Sequence, residues 1–278
     1  MLTYVSGYPK SGTTLLQALL STDPSCGPLT GESTFPMDVA LSFGRHMAAW
    51  KDDSRYLFDD QEQMREFFSD MLARYESQVV GRYPPATGLV LKHPKMTGLF
   101  PLLRRLRPDD RFVAIIRDPR DVLASYVQAA IKAGEAIDDA AQETMAEHLA
   151  KAWVDAYQRI ATADPAFVVV RYEDVVCSFD QVRSELEEEF GLTLERNPAE
   201  VWKSSVFDYL QDSNTSEQLF VSEDWGKPVT KRRIGIHAEC VTAGARARLE
   251  QRCGPIAEHF GYSLSPSPSQ TREHVVHG

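Results

Sequence analysis

From Val5 to Leu16 the chain reads Val5-Ser6-Gly7-Tyr8-Pro9-Lys10-Ser11-Gly12-Thr13-Thr14-Leu15-Leu16, an apolar run that enters a glycine-bounded loop and leaves it through two threonines. These residue types at this spacing suit the capture of an anion. Gly7 and Gly12 let the backbone fold back so that successive N–H groups and the start of the following helix converge on one negative group. The spacing is that of the nucleoside-triphosphate loop G-x-x-x-x-G-K-[ST], but Thr13 stands where that loop has its lysine, and the lysine here, Lys10, precedes the second glycine. A different anion is therefore expected. The plainer reading is an ordinary strand-to-helix turn, so other residues must carry the argument.

Five further groups could do chemistry. Lys92-His93-Pro94 follows the short apolar run Leu89-Val90-Leu91, and Arg117-Asp118-Pro119-Arg120-Asp121-Val122 follows residues 111–116, each where a buried strand would end. In open parallel sheets ligands bind beyond the carboxyl ends of the strands. Arg117 offers a guanidinium fork suited to a phosphate, and Ser125, on the first turns of the following helix, adds a hydroxyl. Glu32, in Gly31-Glu32-Ser33, is a candidate general base, or else a carboxylate stabilised at the start of a helix near Phe35-Pro36. His93 is a candidate for the same role, against the plain alternative of a structural histidine. Asp118 and Asp121, flanked by arginines, read as helix capping and local pairing. Tyr172 follows the apolar run 167–170, and Lys231-Arg232-Arg233 closes the list with a basic cluster.

Two of these stretches carry a resemblance. Tyr8 through Thr14, Y-P-K-S-G-T-T, and Arg117 through Tyr126, R-D-P-R-D-V-x-x-S-Y, resemble the sulfotransferases that use 3′-phosphoadenosine 5′-phosphosulfate (PAPS). The resemblance implies that Lys10 meets the phosphosulfate bridge, that Ser11, Gly12, Thr13 and Thr14 hold the 5′-phosphate, and that Arg117 and Ser125 hold the 3′-phosphate. Tyr172, in Tyr172-Glu173-Asp174, is similarly placed near the adenine, with a core role as the alternative. Lys231, Arg232 and Arg233 resemble the segment that closes over the 3′-phosphate, with the basic register shifted and His237 in the region where tryptophan is usual. Leu15 replaces a tryptophan that many members carry, leaving the adenine's stacking partner open. Lys92-His93-Pro94 resembles two patterns in the family, one giving His93 as the base and one giving Lys92 alone a role. Glu32 lies where relatives with a glutamate use it, and is favoured over His93. The implied reaction is transfer of a sulfuryl group to a hydroxyl of a small-molecule, lipid or glycan acceptor, with no metal, the lysines and a helix N-terminus taking the part of Mg²⁺. A P-loop nucleotide kinase, or a catalytically silent nucleotide-binding partner, is the alternative.

The elements that must position these residues are legible as periodicity. A helix is expected from Thr13 to Leu20, another over 59–82 with Met64, Phe67, Phe68, Met71, Leu72 and Tyr75 as its apolar face, then helices over 99–107, 138–163, 178–190 and 242–260. The arginines 104, 105 and 107 read as a solvated face. Residues 204–230 are irregular and polar with interspersed aromatics, either a loop over the acceptor or plain surface. Strands alternating with helices give a single α/β domain over 1–262, a central parallel sheet flanked by helices in a P-loop-like topology, with 263–278 as a disordered tail. His274 and His277 in that tail do not make a metal site. The net charge of −10 disfavours nucleic acid and anionic membranes as partners, and an anionic ligand then needs a local basic pocket. Cys26, Cys177, Cys240 and Cys253 have no metal or redox spacing and are expected reduced, mostly in the core. With no signal-like start and no apolar run long enough to span a bilayer, a cytoplasmic location is expected.

Overall fold

The computed structural model describes residues 1–163, 165–202 and 224–264. Four parallel strands, β1 (Leu2–Ser6), β2 (Leu89–Lys92), β3 (Arg111–Ile116) and β4 (Val168–Arg171), form one sheet in the order β2-β1-β3-β4. The central strand β1 is buried at every position, as expected where helices cover both faces of a parallel sheet. Because side chains alternate along a strand, Tyr4, Leu91, Phe112 and Ala114 enter the core on one face while Val5, Val90, Val113 and Ile115 enter the core on the other.

The second of these faces is covered by α1 (Thr13–Leu20), and further along the chain by Tyr172–Cys177 and Phe179–Phe190. The first is covered by α2 (Phe35–Ala48), α3 (Gln61–Val80), α4 (Phe100–Leu106), α5 (Pro119–Lys132) and α6 (Asp139–Ala161). In chain order Tyr172–Cys177 is α7, Phe179–Phe190 is α8, the short His237–Cys240 is α9, and Ala243–His259, packed along α6, is α10. Local chemistry sets the boundaries. Asp60, Asp118, Asp138 and Thr242 accept hydrogen bonds from the first turns of α3, α5, α6 and α10, each worth about 1 kcal/mol, and Gly191 ends α8 in the left-handed conformation at φ 60°.

Strand order places the site. From β1 the chain moves to β2 on one side and then crosses to β3 on the other, so a crevice opens at the carboxyl ends of β1 and β3. Loop 7–12 leaves β1 there, Lys92 and His93 end β2, Arg117 follows β3, and Tyr172 follows β4. Gly7 is required by crowding, since a Cβ would lie 2.2 Å from the Ile115 carbonyl oxygen. Gly12 is required by its φ of 96° and by the Tyr172 ring, 2.6 Å from where a Cβ would be.

Several expectations change. Phe67 lies on the outer side of α3 and is half exposed, so the apolar face is narrower than the sequence implied. The arginines of α4 are engaged: Arg104 lies over the Phe167 ring, Arg105 over Phe43, and Arg107 pairs with Glu76 and Asp110. Of the cysteines only Cys253 is buried; Cys177 is exposed, Cys26 and Cys240 are intermediate, and all are free thiols. Tyr262 and Leu264 pack into the core, while residues 265–278 and most of 204–230 lie outside the described residues. No helix among the described residues is long and apolar enough to cross a membrane.

The loop is fastened to the layer beneath it by Tyr157 of α6. Its hydroxyl accepts from the Tyr8 N–H and donates to the Ile115 carbonyl, both at 2.8 Å, in a fully buried position. Tyr157→Phe strands both backbone groups. It should lower stability by about 2 kcal/mol, read as an earlier urea midpoint; an unchanged midpoint would mean that the loop is held by other contacts.

Candidate active site

Loop 7–12 forms a cradle at the start of α1. Lys10 holds a φ of 71°, unusual for a residue with a side chain, and with Gly12 it turns the loop back toward the start of α1, Ser11 N–H closing the turn on the Tyr8 carbonyl at 3.0 Å. Arg117 Nη1 donates to the Lys10 carbonyl oxygen at 3.0 Å, stabilising the strained residue from outside. The Lys10 ammonium is crowded: burial first, then Arg233, Lys132 and Arg117, lower its pKa to about 8.

Beside the cradle lies a second cationic centre. Arg117 rests on the Tyr172 ring at 4.5 Å, reaches Ser125 Oγ at 3.2 Å and donates through Nη2 to the Arg233 carbonyl. Its Nε is buried with no hydrogen-bond partner among the described residues. Arg233 reaches Gln128 at 2.9 Å and Asp224 at 3.1 Å, and Arg232 reaches the same Asp224 at 2.6 Å. Tyr172 is a core residue and a wall of the cleft at once.

A third group closes the cleft. Glu32 runs beside the end of β2, where Ser33 N–H donates to the Lys92 carbonyl at 2.9 Å, so its carboxylate meets the buried Lys92 ammonium at 2.8 Å. His93 Nε2 stands 3.9 Å from the other carboxylate oxygen. His93 Nδ1 accepts from the Lys95 N–H at 3.2 Å, so a neutral ring carries its proton on Nε2 and has no lone pair to offer on that side. Burial, outweighing the nearby Glu32, lowers the His93 pKa and favours that neutral ring. Gln17 of α1 fixes this region by donating to the Thr30 and Val90 carbonyls.

The three groups share one cleft of about 1320 Å³. Of the residues singled out in the sequence, Lys10, Gly12, Thr13, Thr14, Glu32, Lys92, His93, Arg117, Ser125, Tyr172, Arg232 and Arg233 line it. Ser11 is buried beneath the loop, within 3.4 Å of the Tyr157 hydroxyl, and Lys231 is not among the lining residues. Gln128 and Lys132 were missed; they extend the α5 face begun by Ser125 at helical spacing, and that period was the available signal. Trp225, one of the aromatics interspersed in 204–230, lines the cleft beside Trp202, 4.9 Å away and edge to face; Trp202 was missed for want of any local pattern. Asp121 departs from its expected role. It accepts from Gly235 N–H at 2.7 Å and from His237, more than a hundred residues away.

The chain belongs to the sulfotransferase family, whose model matches residues 3–196. A candidate protein-tyrosine sulfotransferase of Caenorhabditis briggsae is 30% identical over 130 residues, covering 46% of this chain and 43% of that protein, so the match spans less than half of the relative's length. Among solved structures, the sulfotransferase domain of the Synechococcus PCC 7002 olefin synthase superposes with a TM-score of 0.57 over 94% of both chains. The sulfotransferase domain from the curacin biosynthetic pathway superposes at 0.56 over 95% of this chain and 98% of that one. Each is 16% identical, and the likeness is one of fold, a single α/β domain around a parallel sheet. Membership supports sulfuryl transfer in general as the chemistry of the chain.

Lys10 gives a pH test of the cradle. A bound phosphate favours the ammonium and raises its pKa above the ligand-free value of about 8. Affinity of the cradle for a phosphate monoester should thus be constant between pH 7 and 8 and weaken by up to roughly tenfold per pH unit above it, until the bound-state pKa is reached. Titration calorimetry between pH 7 and 9.5 reads this directly, and a flat profile would remove Lys10 from the anion.

Proposed function

We propose that the protein transfers the sulfuryl group of PAPS to the hydroxyl of an alcohol or phenol. The observation that carries the reading is the pair of adjoining cationic centres in one cleft, the cradle at Lys10 and the Arg117–Arg233 centre, joined by the Arg117 bond to the Lys10 carbonyl. A nucleotide phosphorylated at both 3′ and 5′ positions presents two anions to match them. The residues present fit such a ligand. Among the described residues, Arg117 Nε is a buried donor with no hydrogen-bond partner, at the wall of the cleft.

When bound, PAPS supplies the sulfuryl group and a phosphate leaving group. The loop N–H groups, Thr13 and Thr14 hold the 5′-phosphate, and Lys10 stabilises charge as the bridging oxygen takes the electron pair of the breaking S–O bond. Arg117, Ser125, Arg232 and Arg233 hold the 3′-phosphate, with Lys231 assigned to the same segment by sequence. Glu32 accepts the acceptor's proton as its oxygen bonds to sulfur. Lys92 orients that carboxylate, and its ammonium is placed to meet developing charge on the sulfuryl oxygens. His93 supports Glu32 from its Nε2–H side. Tyr172 braces Arg117 and forms the cleft wall toward the adenine.

The reading is tested by incubating the protein with labelled PAPS and a panel of alcohols, phenols and glycans. A folded sample that neither binds 3′-phosphoadenosine 5′-phosphate nor transfers label to any of them would overturn it. The base assignment has its own test. Glu32→Gln should keep product-nucleotide affinity and lose roughly 10²- to 10⁴-fold in turnover, while His93→Asn loses much less. The reverse order would give the role to His93.

A further inference from the structure

Asp121, on the first turn of α5, is almost completely buried at 1% exposure. A carboxylate in that position needs donors. Its Oδ2 accepts the Gly235 N–H at 2.7 Å, and its Oδ1 accepts both the His237 N–H at 3.1 Å and the His237 ring Nδ1–H at 2.7 Å. Burial pushes the Asp121 carboxyl pKa up, but these bonds and the nearby Arg117 outweigh it and hold the carboxyl below its ordinary range. Gly235, at φ 74°, makes the turn that aims both N–H groups at one carboxylate. Two residues earlier, the Arg233 carbonyl is held by Arg117 and the Arg233 side chain reaches Gln128 of α5. The segment 232–237 is thus strapped across α5 and carries Arg232 and Arg233 into the cleft. Ile236 and Glu239 line the cleft whereas His237 does not, so His237 acts away from any ligand.

We propose that His237 is the positioning residue of this cationic strap: its ring donor completes the coordination of buried Asp121 and so sets the register in which Arg232 and Arg233 meet the 3′-phosphate. The proposal rests on the PAPS reading above. Its chemistry follows from the count of donors. Backbone N–H groups give each oxygen one donor and fix the strap at two points; the ring adds the third donor and the shorter of the two bonds to Oδ1, so removing it leaves a buried carboxylate under-coordinated, which shifting the strap would relieve. An aromatic ring without a donor at that position fills the space and leaves Oδ1 with the backbone N–H alone.

The experiment measures binding of 3′-phosphoadenosine 5′-phosphate and of AMP, by calorimetry, to the full chain and to His237→Ala, His237→Phe and His237→Asn. Asn is the conservative variant, because its Nδ2 can occupy the place of the imidazole Nδ1. The Ala and Phe variants should lose roughly ten- to hundredfold affinity for the bisphosphate. Their AMP affinity should stay within about twofold, since AMP lacks the 3′-phosphate, and Asn should restore most of the loss. Equal losses for both ligands, no loss in either donor-free variant, or no rescue by Asn would overturn the proposal. Should the Ala variant fail to fold, the Phe variant, which keeps ring volume, decides the matter by the same ratio; failure of Phe as well as Ala to fold would make His237 a general stability residue and reject the proposal. A parent protein that binds the bisphosphate no better than AMP would instead overturn the PAPS reading itself, which separates the two failures.

Discussion

A single guanidinium ties the site together. Arg117 grips the Lys10 carbonyl, Ser125 Oγ and the Arg233 carbonyl while lying flat on Tyr172, so one side chain from the end of β3 links the anion cradle, α5, the basic strap and α7. Few other residue types could do this, because the task needs several fixed donors in one plane with a face left over for the ring. The planar fork also explains how Lys10 can hold its left-handed backbone, an arrangement of order 1–3 kcal/mol above the usual basins that persists only where neighbours over-determine it.

The same arrangement concentrates like charge. Burial first, and then Arg233, Lys132 and Arg117, depress the Lys10 pKa, within a chain whose net charge is −10. Asp224 offsets part of this by pairing with both Arg232 and Arg233. The excess is local and oriented, which is what a cleft built for a multiply charged anion requires: donors fixed in advance, so that little reorganisation accompanies binding or charge development.

On the other side of the cleft, order comes from the sheet edge. Residue 32 bridges to residue 92 alongside β2, and Ser6 anchors that strand end through the His93 carbonyl and Thr97. The carboxylate is therefore brought to this edge by backbone pairing and held there by the Lys92 ammonium. The tautomer of His93 is set in turn by the Lys95 N–H, so of two adjacent titratable side chains one presents carboxylate lone pairs and the other, when neutral, an N–H.

The sequence by itself determined the local features. Glycines at 7 and 12 around Lys10, the arginine and serine eight residues apart at a strand-to-helix junction, and the helical periods of α3, α6, α8 and α10 all act over a turn or two of chain, and their physical causes, backbone freedom, guanidinium geometry and the 3.6-residue repeat, are readable one segment at a time. Tertiary structure alone decided what meets across long intervals. Asp121 looked like a helix-start carboxylate and proved to bind residues 235–237; Tyr157, within the helix expected over 138–163, proved to fasten the cradle; Glu32 and Lys92, 60 residues apart, became an ion pair. The exposure of Phe67 and the engagement of the α4 arginines were hidden for the same reason: periodicity says which residues share a face, and only the packing of other elements decides how much of that face is covered.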